Sequence, residues 1–352
     1  MERVTAPDAY LALIDRLAGR RIAVVGDVVA DEFIYGQVER ISREAPVLIL
    51  EYASTEVIPG GAGNAACNVA SLGGTVRLAA LLGADDPGAR LLDALPPAVD
   101  RRRVVLDRTR ATPVKTRILA GGIHSARQQI VRIDRGVRQP VSAASRQRFA
   151  TAALAAVNGC DAVLVSDYGS GLVTPALVSK LRSAARPAGR RTGVARRSPV
   201  LLDSRYRLLS YRGLTLCAPN ETEVEQALGI RINDDPHALE RAGRTLLAQT
   251  RMAAVLVTRG SRGMALFEPD RPTVHLPIFG SDEIADVTGA GDTVMATATL
   301  AIAAGATFEQ AARLANYAGG IVVMKRGTAT VSAGELRRAV LMDLVPRGRD
   351  RG

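Results

Sequence analysis

RIAVVGD, residues 21–27, is the stretch from which the fold is read. Four apolar residues follow one another without alternation, and Gly-Asp ends the run. A strand buried on both faces has this pattern; a strand with one wet face would alternate. Runs of the same kind recur as VRLAALLG (76–83), AVLVSD (162–167), PVLLD (199–203), LTLCAPN (214–220) and AVLVTRG (254–260). Between them lie helical patterns at 63–73, 86–95, 142–158, 174–186, 221–229 and 236–250. After residue 286 the chain turns helical at 289–305, 307–325 and 333–342. The alternation predicts an α/β fold: a mostly parallel sheet between two layers of helices. Ligands of such sheets bind beyond the carboxyl ends of the strands. Asp27, Asp167, Asp203 and Asn220 are expected there, although each alone could be a turn or helix-capping residue.

Two segments break the alternation. Residues 33–59 and 114–136 alternate apolar with polar residues and contain turn signals, which predicts antiparallel strands with one exposed face. They are expected to pair into a small antiparallel β lid over the site, its other face open to a second subunit. Residues 1–345 are read as one domain and 346–352 as a basic tail.

Composition narrows the function. The 352 residues contain no Trp, and the longest apolar stretches are too short or too broken to span a membrane. The N-terminus reads as an amphipathic helix and not as an export signal. Cys67, Cys160 and Cys217 are far apart in apolar surroundings, which predicts buried thiols in the cytoplasm and neither disulfides nor a zinc site. Net charge is +11, with 46 Lys and Arg of which only Lys115, Lys180 and Lys325 are lysines. The basic density peaks at 186–199. No interleaved aromatics accompany it, so it is read as a solvated loop and not as a nucleic-acid site. His124, His237 and His275 are isolated, which argues against a histidine metal cluster or a Ser-His-Asp set.

The chemistry is concentrated in DVTGAGDT, 286–293. No lysine follows a glycine, so a P-loop is excluded, and the GxGxxG dinucleotide fingerprint is missing. Glycines at a helix start nevertheless let backbone N–H groups converge on an anion, helped by the helix dipole. Asp292 falls in that first turn, as a base or only as a cap. A second glycine-rich block, GGAGNAACNVASLGG (60–74), lets backbone approach a hydroxylated substrate. Anion hole, carboxylate and sugar-sized cleft are the parts of a small-molecule kinase.

DVTGAGDT and GGAGNAACNVASLGG resemble the two signatures of the ribokinase-like (phosphofructokinase-B type) carbohydrate kinases. GDVVADEFIYGQVERISREAPVLI, VSDYGSGLV, APNETEVE, VTRGSRGM and KRGTATVS are similar, in order, to the heptose 7-phosphate kinases of that family. The resemblance implies a ribokinase-like three-layer α/β/α sandwich that phosphorylates the anomeric hydroxyl of D-glycero-D-manno-heptose 7-phosphate, with ATP and Mg²⁺. It implies Asp292 as general base, with Gly289, Ala290 and Gly291 forming the anion hole. Asp31, Gly60, Gly61 and Asn64 would hold sugar hydroxyls. Asn220 and Glu223 would order Mg²⁺, the glutamate through water. Thr258, Gly260, Gly263 and Asn316 would line the nucleotide. Lys115, Arg117 and Gln129 are either contacts to the sugar phosphate or an exposed strand face. Many of the family bind a monovalent cation, which these residues do not establish. A cytoplasmic homodimer joined through the lid is expected. Asp203-Ser204-Arg205 departs from the usual Asp-Pro-Lys. The resemblance includes no nucleotidyltransferase segment, so making an ADP-sugar is expected to fall to another protein. The alternatives are a kinase of another small sugar, sugar phosphate or nucleoside, and a non-catalytic sugar-binding protein.

Overall fold

Arg21–Gly26 forms the expected strand, and both its neighbours run parallel to it: Thr75–Gly83 on one side and Ala162–Asp167 on the other. These come from a computed structural model that describes residues 6–121, 128–136, 140–187, 197–280, 286–325 and 327–344. The sheet has nine strands. Their order is Val274–Leu276, Met264–Phe267, Ala254–Thr258, Leu216–Cys217, Val200–Ser204, Ala162–Asp167, Arg21–Gly26, Thr75–Gly83 and Val99–Asp107. The first two join antiparallel; all the other neighbours are parallel.

Unbroken apolar runs are what a sheet covered twice requires. Val24, Leu78, Leu164 and Leu201 point into one core, packed against the helices Ala62–Ser71, Ala290–Ala303 and Phe308–Val323. Val25, Ala79, Val165 and Leu202 point into the other, under Ala143–Val157, Pro175–Ala184 and Pro236–Thr250. Alanine and glycine let the helices sit close. At Gly243 a β-carbon would lie 2.3 Å from the Phe267 ring.

Three strands go beyond the sequence expectation. Val99–Asp107 carries three consecutive exposed arginines, which hide its strand character; it is tolerated as an edge strand because those side chains reach water. The other two, Met264–Phe267 and Val274–Leu276, are too short for a clear pattern.

The small sheet stands beyond the strand ends, in the order Leu48–Gly61, Val28–Ile41, Val114–Gly121, Gln128–Arg135. Each hairpin is antiparallel, and the seam between them is parallel. Its first strand begins at Val28, earlier than residue 33, because the chain passes from core strand to lid with only Asp27 between. His124, most of the basic 186–199 stretch and the 346–352 tail lie outside the described residues. Cys67, Cys160 and Cys217 are buried and free, and burial pushes the Cys67 thiol up to about 12 and the Cys160 thiol to about 11. Among the described residues no helix is long and apolar enough to cross a membrane.

Candidate active site

The helix Ala290–Ala303, like the helix Ala62–Ser71 beside it, starts at a glycine with no capping side chain. Helices after Asp85, Ser142, Thr174, Asn220, Asp235 and Thr307 each have a capping side chain on their first turn. At Gly289 there is none. Gly289 is left-handed, with φ 78°, and a β-carbon there would meet Asn64 Nδ2 at 2.4 Å. Around Gly291 a β-carbon would meet nothing within 4 Å. The Ala290 N–H donates to the Val287 carbonyl at 3.2 Å; the first turn as a whole lies at the positive end of the helix dipole, where an anion is stabilised.

Asp292 does not cap that turn with its carboxylate. Its Oδ2 accepts from Asn64 Nδ2 at 3.0 Å and its Oδ1 from the Tyr168 hydroxyl at 2.8 Å. The residue is only 4% exposed. Burial raises its pKa to about 6; the Asn64 and Tyr168 hydrogen bonds and Lys115 oppose the rise, and Asp31 adds to it. A carboxylate tuned to that range is ionised near neutrality yet still a useful proton acceptor.

Its supports are themselves held. Asn64, on the helix after Gly60-Gly61, also donates to the Gly289 carbonyl at 3.1 Å. Its Oδ1 accepts from Asn68 Nδ2, and Asn68 Oδ1 in turn accepts from the Val331 N–H, so the GTATVS segment braces the asparagine pair. Asp27 accepts from the Tyr168 N–H at 2.8 Å and from the Ser170 hydroxyl at 2.5 Å. Asp167 accepts from Ser204, Arg207 and Tyr211. Two of the four polar strand ends, Asp27 and Asp167, thus organise loops, while Asp203 is near enough to feel the charge of Asp292.

The lid supplies the other wall. Asp31 is buried and pairs with Arg117, Nη1 to Oδ1 at 2.5 Å. Lys115 is its register partner and lies 6.0 Å from the Tyr168 ring centre. Burial pulls the Lys115 ammonium down from its ordinary value, and Asp31 opposes this. At Gly60 a β-carbon would lie 2.2 Å from Asp31 Oδ2, so glycine leaves that carboxylate its place. Gly61 is left-handed, and a β-carbon there would lie 2.6 Å from the Asp27 carbonyl oxygen and 3.5 Å from the Tyr168 ring. Gln129 sits further out, opposite Leu119 and beyond a bulge. On that strand it is Arg132, register partner of Arg117, whose charge is felt at Asp31 and Lys115.

Further along the strand ends, Asn220 and Glu223 form a reciprocal capping box, 2.9 and 2.8 Å. This is a structural reason for both residue types. Burial raises Glu223, and Arg205 opposes the rise. Asp203 is pushed well above the carboxylate range by burial and by Asp292 and Glu223, again opposed by Arg205. A carboxylate raised by two others, as Asp203 is by Asp292 and Glu223, is short of positive charge. Hard oxygen donors in that state fit Mg²⁺ held through one or two carboxylates and phosphates; among the described residues no fuller protein cage is present. Thr258 bridges to Asn220, and Gly260 and Gly263 are both left-handed in the following turn. Asn316 is buried and donates to the Pro277 carbonyl at 2.7 Å.

The structure therefore gathers Asp292, Asn64, Asp31, Gly60, Lys115 and Arg117 around one cleft, with Asn220, Glu223 and Thr258 along its edge. Tyr168 was missed from sequence. Its signals are its place directly after the AVLVSD strand end and within the VSDYGSGLV segment.

A profile of the pfkB family carbohydrate kinases matches residues 20–333. The chain is 43% identical over 315 residues to the Bifunctional protein HldE of Geobacter metallireducens, covering 89% of this chain and 61% of that protein. It is 42% identical over 332 residues to that of Caulobacter vibrioides, covering 94% and 65%. The chain thus spans about three fifths of the length of these relatives. Among solved structures it is similar to phosphofructokinase-2 of Escherichia coli in complex with fructose-6-phosphate (TM-score 0.69, 17% identity, 92% of this chain and 99% of that one). It is also similar to ribokinase of Arabidopsis thaliana complexed with ribose and ATP (TM-score 0.63, 20% identity, 92% and 98%). At those identities the likeness concerns the fold.

Proposed function

The chain belongs to the pfkB family of carbohydrate kinases, and on that premise we propose that it phosphorylates D-glycero-D-manno-heptose 7-phosphate on its anomeric hydroxyl. The product is heptose 1,7-bisphosphate, a precursor for surface glycans. The observation that carries this reading is the buried carboxylate of Asp292, held by Asn64 and Tyr168 at the uncapped start of a helix.

Asp292 takes the proton of the anomeric hydroxyl as that oxygen attacks the γ-phosphorus of ATP. The N–H groups of Gly289, Ala290 and Gly291 receive the charge of the transferring phosphoryl group. Asp31, fixed by Arg117 and given room by Gly60, accepts sugar hydroxyls together with Gly61 and Asn64. Lys115, Arg117 and Arg132 make the lid wall positive, which suits a substrate that already carries a phosphate. Gln129 contributes from the outer end of that strand. Thr258, Gly260, Gly263 and Asn316 line the nucleotide. Asn220 and Glu223 hold Mg²⁺ through water, with Asp203 beside them; the ion neutralises phosphate charge when bound. Heptose is favoured over other sugars by the identity of about 40%, over about nine tenths of this chain, to proteins named HldE.

The working form is a cytoplasmic homodimer. The lid face turned away from Asp31 exposes Val131 and Ile133, at 44% and 47%, which a second copy would cover. Purified protein with Mg-ATP and a panel of phosphosugars tests the substrate. Heptose 7-phosphate is expected to give the highest kcat/KM. Preference for ribose, fructose 6-phosphate or adenosine would refute the assignment while leaving a carbohydrate or nucleoside kinase.

A further inference from the structure

Tyr168 belongs to neither the anion hole nor the sugar contacts assigned above, yet it touches both halves of the site. Its hydroxyl donates to Asp292 Oδ1 at 2.8 Å. Asp203, at the end of the neighbouring strand, faces the same hydroxyl. Its N–H is fixed by Asp27 Oδ2 at 2.8 Å, and a β-carbon at Gly61 would be 3.5 Å from its ring. The Lys115 ammonium stands 6.0 Å from the ring centre. Backbone, ring and hydroxyl are thus each fixed by a different element: core strand, glycine-rich block and catalytic helix. A phenol placed so tightly on a single carboxylate oxygen has a use that a packing residue lacks. It holds that oxygen out of rotation and leaves the Asn64-bound oxygen a defined direction.

We infer that Tyr168 is a positioning residue for Asp292, orienting its carboxylate and stabilising its ionised form so that the base is charged at working pH. The inference rests on the role of Asp292 proposed above. In chemical terms, the phenol presents its proton to Asp292 Oδ1 and keeps it there. No proton changes owner; the hydroxyl dipole polarises toward the base. The other charged groups facing this assembly are Asp31 and Lys115 from the lid, Arg205 and Glu223 from the strand ends, and Asp27 beneath.

The test is a pH–rate profile of kcat/KM for Tyr168→Phe, run on the full chain with the best phosphosugar of the panel. Losing a hydrogen bond to an anion moves the acid limb up by about one pH unit or more, which by itself lowers the rate at pH 7 about twofold. A residue that merely packs would lower the rate evenly and leave the limb where it was; that result overturns the inference. Should the variant not fold, 3-fluorotyrosine inserted at position 168 alone keeps the shape and donates more strongly, so the limb should move down, and an unmoved limb counts against the inference equally. Asp292→Asn separates the two levels. If it retains the wild-type rate, the assignment of the base fails, whatever Tyr168→Phe does. If it is inactive while Tyr168→Phe keeps the wild-type limb, only the role of Tyr168 fails.

Discussion

Replacing Asp292 by Asn should make the protein more stable and nearly inactive at once. The carboxyl has a value of 3.8 when solvated and about 6 in its buried place. At about 1.4 kcal/mol per pH unit, keeping it ionised in the fold costs about 3 kcal/mol at neutral pH. The folded value is raised, so the fold favours the protonated form. The cost is nearly absent below pH 3.8, grows between 3.8 and 6, and is complete above 6. Asparagine is neutral throughout and nearly the same shape. It can accept from Asn64 through its oxygen and donate to the Tyr168 oxygen through its amide, so both contacts survive. Melting temperatures of the two proteins, without ligands, should therefore differ by several degrees at pH 7.5 and converge toward pH 4. Other carboxylates titrate over the same range in both proteins and cancel in the difference. Kinase activity should fall by at least about 10²-fold, the low end for a positioned base. A variant that is less stable than wild type by the same margin at every pH would refute the reasoning, because burial would then carry no electrostatic cost at this site.

Gly60→Ala would place a methyl group 2.2 Å from Asp31 Oδ2 and displace that carboxylate; KM for the sugar should rise about tenfold or more while nucleotide binding, followed by titration calorimetry, stays unchanged. Gly243→Ala forces a β-carbon to 2.3 Å from the Phe267 ring, far from the cleft, and should cost about 1–3 kcal/mol in denaturant unfolding with unaltered turnover per folded molecule. Ile133→Glu puts a charge on the exposed lid face and should convert a dimer to monomer in sedimentation experiments.

The architecture is legible from sequence wherever burial leaves a single periodic signal. Runs such as AVLVSD and AVLVTRG are covered on both faces, and their composition says so. Val99–Asp107 is not legible, because an edge strand can carry three arginines and read like a surface loop. At the site, residue types that stand out in glycine-rich blocks, Asp292 and Asn64 among them, are found from sequence, and they do meet. Residues defined only by long-range partners are harder. Tyr168 reads as a strand-end aromatic until the fold brings it to Asp292, and Arg132 reads as one arginine among many until register sets it opposite Arg117. Asp27 illustrates the converse: a carboxylate at a strand end looks functional, but its oxygens are used by the backbone and hydroxyl of the next loop.

The hydrogen bond between Asn64 and Asp292 joins residues 228 positions apart. A ribosome adding roughly 5–20 residues per second needs on the order of ten to forty-five seconds to get from one to the other. Throughout that interval the emerging chain has the residues proposed for the sugar and lacks the proposed base. On those roles, chains that end before residue 292 are expected to be inert toward ATP, with competence arriving only once the 290–303 helix docks.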